Sequence, residues 1–254
     1  MPLENKHPLK PLKWYRALAE RDSRIEAGVF MLEGERAIRQ VMLSRPDAIV
    51  EILAVEEQPG FGAYPMRLLT GAQMRAVSYA TTPQGIAALV SFSPDIYSRC
   101  LPPVAAGNVL LLEDVQDPGN IGTLIRTAAA FGYEGVLLSD RCADPLSPKV
   151  VQSSAGAALS LWLRKNGGYL EMALELKQRG FTLVAADLSA GTDTSVLTQP
   201  RGLVLALGNE AVGLSKPLLD ICRYRLRIPI MTERAESLNV AACGAICMYL
   251  SRCR

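Results

Sequence analysis

Three short segments in the second half of the chain carry residue types suited to one ligand site. Each follows an apolar run typical of a buried strand. Each also contains glycine or small polar residues, where a backbone bends or approaches a ligand closely. Their polar candidates are Asn120 and Arg126 in the first segment, Glu210 in the second, and Ser237 and Asn239 in the third.

The first segment predicts a turn followed by a helix. Residues 117–119 (Asp-Pro-Gly) are typical of a turn, and Asn120 is predicted to be the N-cap of a helix that ends near Phe131 and Gly132. Arg126 lies less than two turns into that helix, among small and apolar residues. Charged side chains are seldom buried without a partner, so this arginine belongs either to a site or to the solvent face.

The second segment has only part of a phosphate-binding pattern. Gly208 and Gly213 have the glycine spacing of a phosphate loop, but Leu214 stands where its lysine must be. The chain also lacks a GxGxxG sequence, so a dinucleotide fold of the Rossmann type is unsupported. Glu210 remains, either as a site acid or as a charge that favours the start of a helix.

The third segment ends one strand and begins one helix. Pro229 cannot donate to a strand ladder, so the strand should end there. Ser237 or Asn239 then begins an apolar helix, and Ser237 is either its N-cap or a site residue.

The count of histidines excludes several kinds of chemistry. His7 is the single histidine, so Ser-His-Asp, Cys-His and HExxH zinc sites are excluded, and no metal is expected. The six cysteines contain no CxxC pair, which favours reduced, packed thiols. No apolar stretch is long enough to span a membrane and no signal peptide is evident, so we expect a cytoplasmic protein.

Regularly alternating elements must position the three segments. Near-continuous apolar strands predict a parallel sheet covered on both faces over residues 108–254. The predicted strands are 109–112, 135–138, 161–163, 181–186, 203–207 and 225–230, and the predicted helices are 121–131, 148–158, 169–179, 215–222 and 238–253.

Residues 1–95 predict a smaller α/β unit, joined by a proline-containing linker at 96–107. Helices are predicted at 12–27, 34–44 and 70–77, and strands at 29–32, 49–55 and 86–92. Residues 1–24 carry six Lys or Arg against three Asp or Glu, which fits an RNA-contacting arm or, slightly better on charge alone, a solvated helix.

Taken together, the three segments resemble the signature motifs of the SpoU (TrmH-like) branch of the SPOUT RNA methyltransferases. The resemblance covers essentially all of 108–254. The matching residues are Asn120, Gly122, Arg126, Thr127 and Ala128; then Leu207, Gly208, Glu210, Gly213 and Leu214; then Ile228, Pro229, Ser237, Leu238, Asn239 and Val240. Ala211, Ile230 and residues 232–236 depart from the family pattern, outside the polar site residues.

This resemblance implies a parallel α/β domain with a deep trefoil knot, the SPOUT or alpha-beta knot. It also implies a homodimer and S-adenosylmethionine as cofactor. The implied reaction is methyl transfer to a ribose 2′-hydroxyl of RNA, with Arg126 as base or orienting group and Asn120, Glu210, Ser237 and Asn239 positioning it. The implied cofactor-binding residues are Leu207, Gly208, Ile228, Ile230 and Leu238.

Residues 30–36 and 82–90 are similar to the ends of the L30e-like substrate-binding domain that many members carry. That similarity favours ribosomal RNA over transfer RNA as the partner. Four alternatives stay open: a transfer-RNA 2′-O-methyltransferase, a catalytically silent RNA-binding factor, methylation of a base atom, and a nucleotide-dependent enzyme of ordinary doubly wound fold.

Overall fold

The computed structural model describes residues 10–198 and 202–252; His7 and Cys253 lie outside them. The elements of the first region are α1 (Leu12–Ala17), α2 (Arg21–Ala27), β1 (Val29–Glu33), α3 (Glu35–Ser44), β2 (Ile49–Ala54), β3 (Met66–Leu68), α4 (Gly71–Val77) and β4 (Ile86–Ser91). The strands form one sheet in the order β1–β4–β2–β3, in which β1 and β2 run antiparallel to β4. Strand β3, which pairs parallel with β2, is too short to show a pattern and was not predicted.

The prediction of a single helix over 12–27 is wrong, because the helix is interrupted between α1 and α2. Glu20 has extended backbone angles (φ −84°, ψ 140°) and begins the second helix. The buried guanidinium of Arg24 donates to the carbonyl oxygens of Leu18 at 3.0 Å and Ala19 at 2.6 Å. Both carbonyl groups follow the last residue of α1, where the helix no longer supplies donors, and Arg24 satisfies them instead.

The elements of the second region are β5 (Val109–Leu112), α5 (Pro118–Ala130), β6 (Gly135–Leu138), α6 (Pro148–Ser154), β7 (Trp162–Lys165), α7 (Tyr169–Gln178), β8 (Thr182–Ala186), β9 (Leu203–Leu207), α8 (Lys216–Ile221), β10 (Tyr224–Leu226) and α9 (Val240–Arg252). Its strands form a parallel sheet in the order β10–β8–β9–β5–β6–β7, as the α/β prediction requires. Central strand residues such as Leu110 and Leu112 are fully buried between helices, and burial of each large apolar side chain contributes about 1.5–3 kcal/mol to stability.

Two predicted elements of this region are too long. The strand predicted at 225–230 ends at Leu226, so residues 228–230 belong to a loop. The helix predicted at 148–158 ends at Ser154, because Ala155 (φ +50°) and Gly156 (φ +83°) adopt left-handed backbone conformations. A short 3-10 helix at Ala157–Ser160 follows.

A buried ion pair joins the two regions. Arg24 of α2 donates to Asp144 Oδ1 at 3.0 Å, and the hydroxyl of Tyr97 donates to Asp144 Oδ2 at 2.9 Å. Arg24 is 1% exposed, so its buried positive charge requires the Asp144 carboxylate as a partner. The two regions therefore share a packed, charged junction.

Residues 96–107, predicted as a linker, lie along the β7 side of the parallel sheet. Arg164 donates to the Cys100 carbonyl at 2.7 Å, and Asn166 donates to the Ser98 carbonyl at 2.7 Å. Leu101 is buried in the core. This segment is hydrogen-bonded to the second region, whereas the predicted domain boundaries and the predicted knot stay predictions.

No helix within residues 10–198 and 202–252 is long and apolar enough to cross a membrane.

Candidate active site

The carboxyl ends of three neighbouring strands, β10, β8 and β9, border one cavity of about 380 Å³, here called the carboxyl-edge cavity. Ligands of parallel α/β sheets bind at this edge, in the loops that follow the strands. The lining residues are 186–189 after β8, 207–214 at the end of β9, Leu219, 225–228 and Ile230 around β10, and Ser237, Leu238, Val240 and Cys243 at the start of α9.

A tightly folded loop forms one wall of the cavity. A Cβ atom on Gly208 would lie 2.5 Å from the Gly213 carbonyl group, so only glycine allows this approach. The Asn209 side chain accepts hydrogen bonds from the backbone N–H groups of Ala211 and Val212, and donates to the Asp114 carbonyl at 3.0 Å. The Asn209 side chain therefore holds the loop in its folded form and ties it to Asp114.

All five residues predicted to bind a cofactor line this cavity. Leu207 is buried, and the other four are partly exposed. They are Leu207, Gly208, Ile228, Ile230 and Leu238.

Three of the five predicted polar site residues form one hydrogen-bonded chain. Asn120 Nδ2 donates to Glu210 Oε1 at 2.6 Å, and Asn239 Nδ2 donates to Asn120 Oδ1 at 3.0 Å. Asn239 Oδ1 accepts from the N–H groups of residues 241 and 242, so it caps α9. The three segments therefore meet through Asn120, as their shared pattern predicts.

The N-cap predicted at Asn120 is wrong. Asp117 caps α5 by accepting from the Asn120 backbone N–H at 2.8 Å, and Pro118 occupies the first helical position. Proline is favoured there because its missing N–H would have no partner. The cap lies three residues earlier, and this leaves the Asn120 side chain free to join Glu210 to Asn239.

Arg126 and Ser237 lie outside this chain of hydrogen bonds. Arg126 is exposed and lies about 9 Å further along α5 than Asn120. Within the described residues, no hydrogen bond or ion pair to the Arg126 side chain is found. Ser237 is exposed and lines the cavity. Arg126 is therefore the free cation of the first segment, on a different face of the helix from Asn120.

Glu113 is a site-supporting residue that sequence reasoning missed. It follows β5 directly and is 3% exposed. Its carboxylate accepts from the Ser215 N–H at 2.6 Å, the Ser215 hydroxyl at 2.7 Å and the Tyr169 hydroxyl at 2.5 Å. Burial, with the Glu113 carboxylate as a smaller cause, raises the pKa of Tyr169 above its usual value, so this phenol stays protonated and donates.

Glu113 and its neighbour fix both ends of the cavity loop. The Asp114 carbonyl holds Asn209 at the beginning, and the Glu113 carboxylate holds Ser215 at the end. One signal in the sequence points to this role: an acidic residue placed directly after a fully apolar strand. Such a group is buried only when donors surround it.

Cys243 brings a thiol to the cavity wall. A hydrogen bond with the Cys247 thiol lowers the pKa of Cys243 despite its burial, and raises that of Cys247. Its thiolate is more abundant at a given pH than that of an ordinary buried cysteine.

Comparison with known proteins places the chain among RNA-modifying enzymes. A model of the SpoU rRNA Methylase family matches residues 107–249, more than half of the chain. Over 248 residues the chain is 33% identical to the 23S rRNA (guanosine(2553)-2′-O)-methyltransferase RlmP of Bacillus subtilis (strain 168), with 94% of each sequence covered.

Two solved structures share the fold over nearly the whole chain. An AdoMet-bound rRNA methyltransferase from Sinorhizobium meliloti has a TM-score of 0.78 and 26% identity, covering 95% of this chain and 93% of that one. An RNA 2′-O ribose methyltransferase has a TM-score of 0.78 and 25% identity, covering 94% of each chain.

Proposed function

The chain belongs to the SpoU rRNA methylase family, and from this premise we propose that it transfers the methyl group of S-adenosylmethionine to a ribose 2′-hydroxyl of ribosomal RNA. The observation that carries the proposal is the Glu210–Asn120–Asn239 chain beside the carboxyl-edge cavity. It unites all three segments at one place. Ribosomal RNA is a cytoplasmic substrate, and we place the reaction there.

The cavity fits S-adenosylmethionine in size and in the kind of groups that line it. Its volume of about 380 Å³ lies within the range of small-ligand sites. Leu207, Ile228 and Leu238 present apolar side chains suited to a purine ring. The loop at 208–214 presents backbone groups suited to the polar ends of the ligand.

The chain's own residues would hold the ribose and stabilise its oxygen. S-adenosylmethionine, when bound, supplies a methyl group on a positively charged sulfur. The 2′-hydroxyl is a poor nucleophile and loses its proton as the new O–C bond forms. A guanidinium group keeps its proton in proteins and is a poor base, so we assign Arg126 to orienting the hydroxyl and phosphate and to stabilising the developing oxyanion.

A second copy of the chain is proposed to complete the site, because Arg126 lies outside the cavity of its own chain. Arg126 is exposed on α5, and the neighbouring helix α9 exposes apolar side chains. Ile246 is 39% exposed and Tyr249 is 57% exposed, and the Tyr249 ring lies against Phe131 at 6.1 Å. An apolar, partly exposed patch of this kind marks an association surface.

The Tyr249→Glu variant tests the dimer. We expect it to behave as a monomer in light scattering and to lose methyl transfer, since a carboxylate at the interface is desolvated without a partner. A dimer of unchanged stability would contradict this interface.

The smaller region is proposed to bind the RNA, with residues 1–95 as the substrate-binding domain and 96–107 as its connection. This arrangement favours ribosomal over transfer RNA, because the similar Bacillus subtilis protein, matched over 94% of its length, bears a 23S rRNA name. A transfer-RNA substrate is the second outcome of the following test.

Tritium-labelled S-adenosylmethionine incubated with ribosomal RNA, transfer RNA and the protein tests the activity. After complete nuclease digestion we expect label in a 2′-O-methylated nucleoside from ribosomal RNA. Label on a base atom would overturn the ribose assignment. RNA binding without label would identify a silent RNA-binding factor.

A further inference from the structure

A second cavity of about 470 Å³ lies in the first region, here called the Trp14 cavity. It shares no lining residue with the carboxyl-edge cavity, and its volume also falls within the range of ligand sites. It lies between α1, α2 and the sheet. The lining residues are Lys10, Trp14, Ala17, Ser23, Glu26, Ala27, Val29, Val50, Glu51, Pro65 and Leu89.

An irregularity in β2 brings two adjacent side chains into this cavity. The register of β2 against β4 shifts between Ile49 and Glu51, which is a β-bulge at Val50. Neighbouring residues of a regular strand point to opposite faces, yet Val50 and Glu51 both line the cavity. A bulge redirects side chains in this way and is common beside functional sites.

The Glu51 carboxylate is held in place and keeps unused acceptor capacity. The Tyr15 hydroxyl donates to Glu51 Oε2 at 2.9 Å. Arg67 Nη1 lies 3.0 Å from that hydroxyl and donates to the Lys10 carbonyl at 2.7 Å. Over the described part of the chain, no donor is found for Glu51 Oε1. A carboxylate accepts up to about four hydrogen bonds, so Glu51 has room for two adjacent donors.

The Trp14 ring and the Lys10 side chain line the same cavity. The Trp14 ring is half-buried and held edge-on to Tyr15, with centroids 5.2 Å apart. The Lys10 ammonium lies 5.5 Å from the Trp14 ring centroid. Aromatic rings beside cations are the elements with which proteins stack single-stranded bases and hold their phosphates.

We propose that the Trp14 cavity binds one unstacked guanine nucleotide of the substrate RNA. The base stacks on Trp14, its N1–H and N2 amino group donate to Glu51, and its phosphate lies near Lys10. Guanine is favoured because it presents two adjacent N–H donors to an acceptor-only carboxylate, whereas adenine, cytosine and uracil each place an acceptor beside their donor. This inference rests on the proposed RNA substrate and adds a second contact, away from the reacting ribose.

Tryptophan fluorescence can report on this cavity alone. The chain has two tryptophans, and Trp162→Phe leaves Trp14 as the single reporter. Trp162 Nε1 is buried with no partner within the described residues, so this change removes no hydrogen bond. The Trp162→Phe protein is titrated with a short single-stranded oligoribonucleotide that contains one guanine, and with the same sequence containing inosine or adenine.

We expect quenching by the guanine oligonucleotide and at least tenfold weaker binding of the inosine and adenine versions, since inosine lacks the N2 amino group. Glu51→Gln should abolish this preference. The matched control Glu56→Gln removes a charge from an exposed acid outside the cavity and should preserve it. Melting temperature and S-adenosylhomocysteine binding are measured for each variant to confirm the fold.

Equal affinity for guanine, inosine and adenine would overturn the inference. GMP binding as tightly as the oligonucleotide would overturn its assignment to RNA. Methyl transfer to RNA by the unaltered protein, measured separately, tests the proposed function. If transfer occurs without guanine preference at Trp14, the proposed function stands and this inference fails. If the guanine preference occurs without methyl transfer, this inference stands and the proposed function fails.

Discussion

The carboxyl-edge cavity and the Trp14 cavity are constructed from different parts of the backbone. The carboxyl-edge cavity is a consequence of topology, because the parallel strands β8, β9 and β10 end together and their loops converge. The Trp14 cavity depends on an interruption of regular structure, the bulge at Val50 and the break between α1 and α2. The first is lined mostly by residues of the loops that follow the strands, and the second is lined mostly by residues of α1, α2 and the sheet. Substitutions should therefore affect the two in different ways.

The ion pair between the regions gives the largest expected effect. Asp144→Ala leaves the Arg24 charge buried without its partner, which costs about 3–5 kcal/mol of unfolding free energy. Urea unfolding measures the loss. Asp140→Ala, at an exposed residue in the same loop, serves as control and should stay close to the unaltered protein. A loss below about 1 kcal/mol for Asp144→Ala would show that the junction does not hold the two regions together.

Loss of the Arg126 side chain gives the next largest expected effect, which lowers the catalytic rate and leaves stability unchanged. Arg126→Ala should lower kcat by about 10²–10³-fold, the usual cost of removing one donor to a developing oxyanion. Arg126→Lys should be nearly as damaging because lysine lacks the planar fork of donors. Melting temperature and S-adenosylhomocysteine affinity should be unchanged, since the side chain is exposed. Near-normal turnover by either variant would remove Arg126 from the reaction.

Glu113 should act on the cofactor through the loop. Glu113→Gln weakens the hold on the Ser215 N–H and hydroxyl, so we expect about a tenfold higher KM for S-adenosylmethionine with kcat changed less. Tyr169→Phe removes one donor to the same carboxylate and should produce a smaller rise in KM. An unchanged KM with a lowered melting temperature would assign Glu113 to stability alone.

Cys243 gives the smallest effect and reports on occupancy of the carboxyl-edge cavity. The Cys247 hydrogen bond lowers the pKa of its thiol, so alkylation by iodoacetamide should begin at lower pH than for an ordinary cysteine and accelerate as pH rises through that lowered value. S-adenosylhomocysteine should slow the reaction several-fold. Mass spectrometry of the peptide measures both. A rate independent of ligand would place the ligand elsewhere.

The same contrast explains what could be predicted from the sequence. Strands 109–112, 135–138 and 203–207 were predicted with their observed bounds, because buried parallel strands are continuous apolar runs. The convergence of the three segments followed from their shared position after such strands. The α/β class was confirmed by the parallel sheet, and the family, predicted from the three segments, was confirmed by the match over residues 107–249.

Features that depend on tertiary contacts were not predicted. The donors to Glu113 lie 56 and 102 residues away in sequence, and no local sequence pattern predicts them. The bulge at Val50 and the break at Glu20 depend on packing, and local periodicity is continuous across both. The N-cap was misplaced by three residues because Asp117 and Asn120 have equal cap propensity, and Pro118 decides between them.

The central claim is that this chain methylates a ribose of ribosomal RNA with Arg126 at the reacting oxygen. Its most direct test is transcriptome-wide mapping of 2′-O-methylation, by resistance to alkaline cleavage, in cells that carry the protein, lack it, or carry Arg126→Ala. The account predicts a ribosomal position protected only in cells with the unaltered protein. Identical ribosomal profiles in all three cell lines would contradict it.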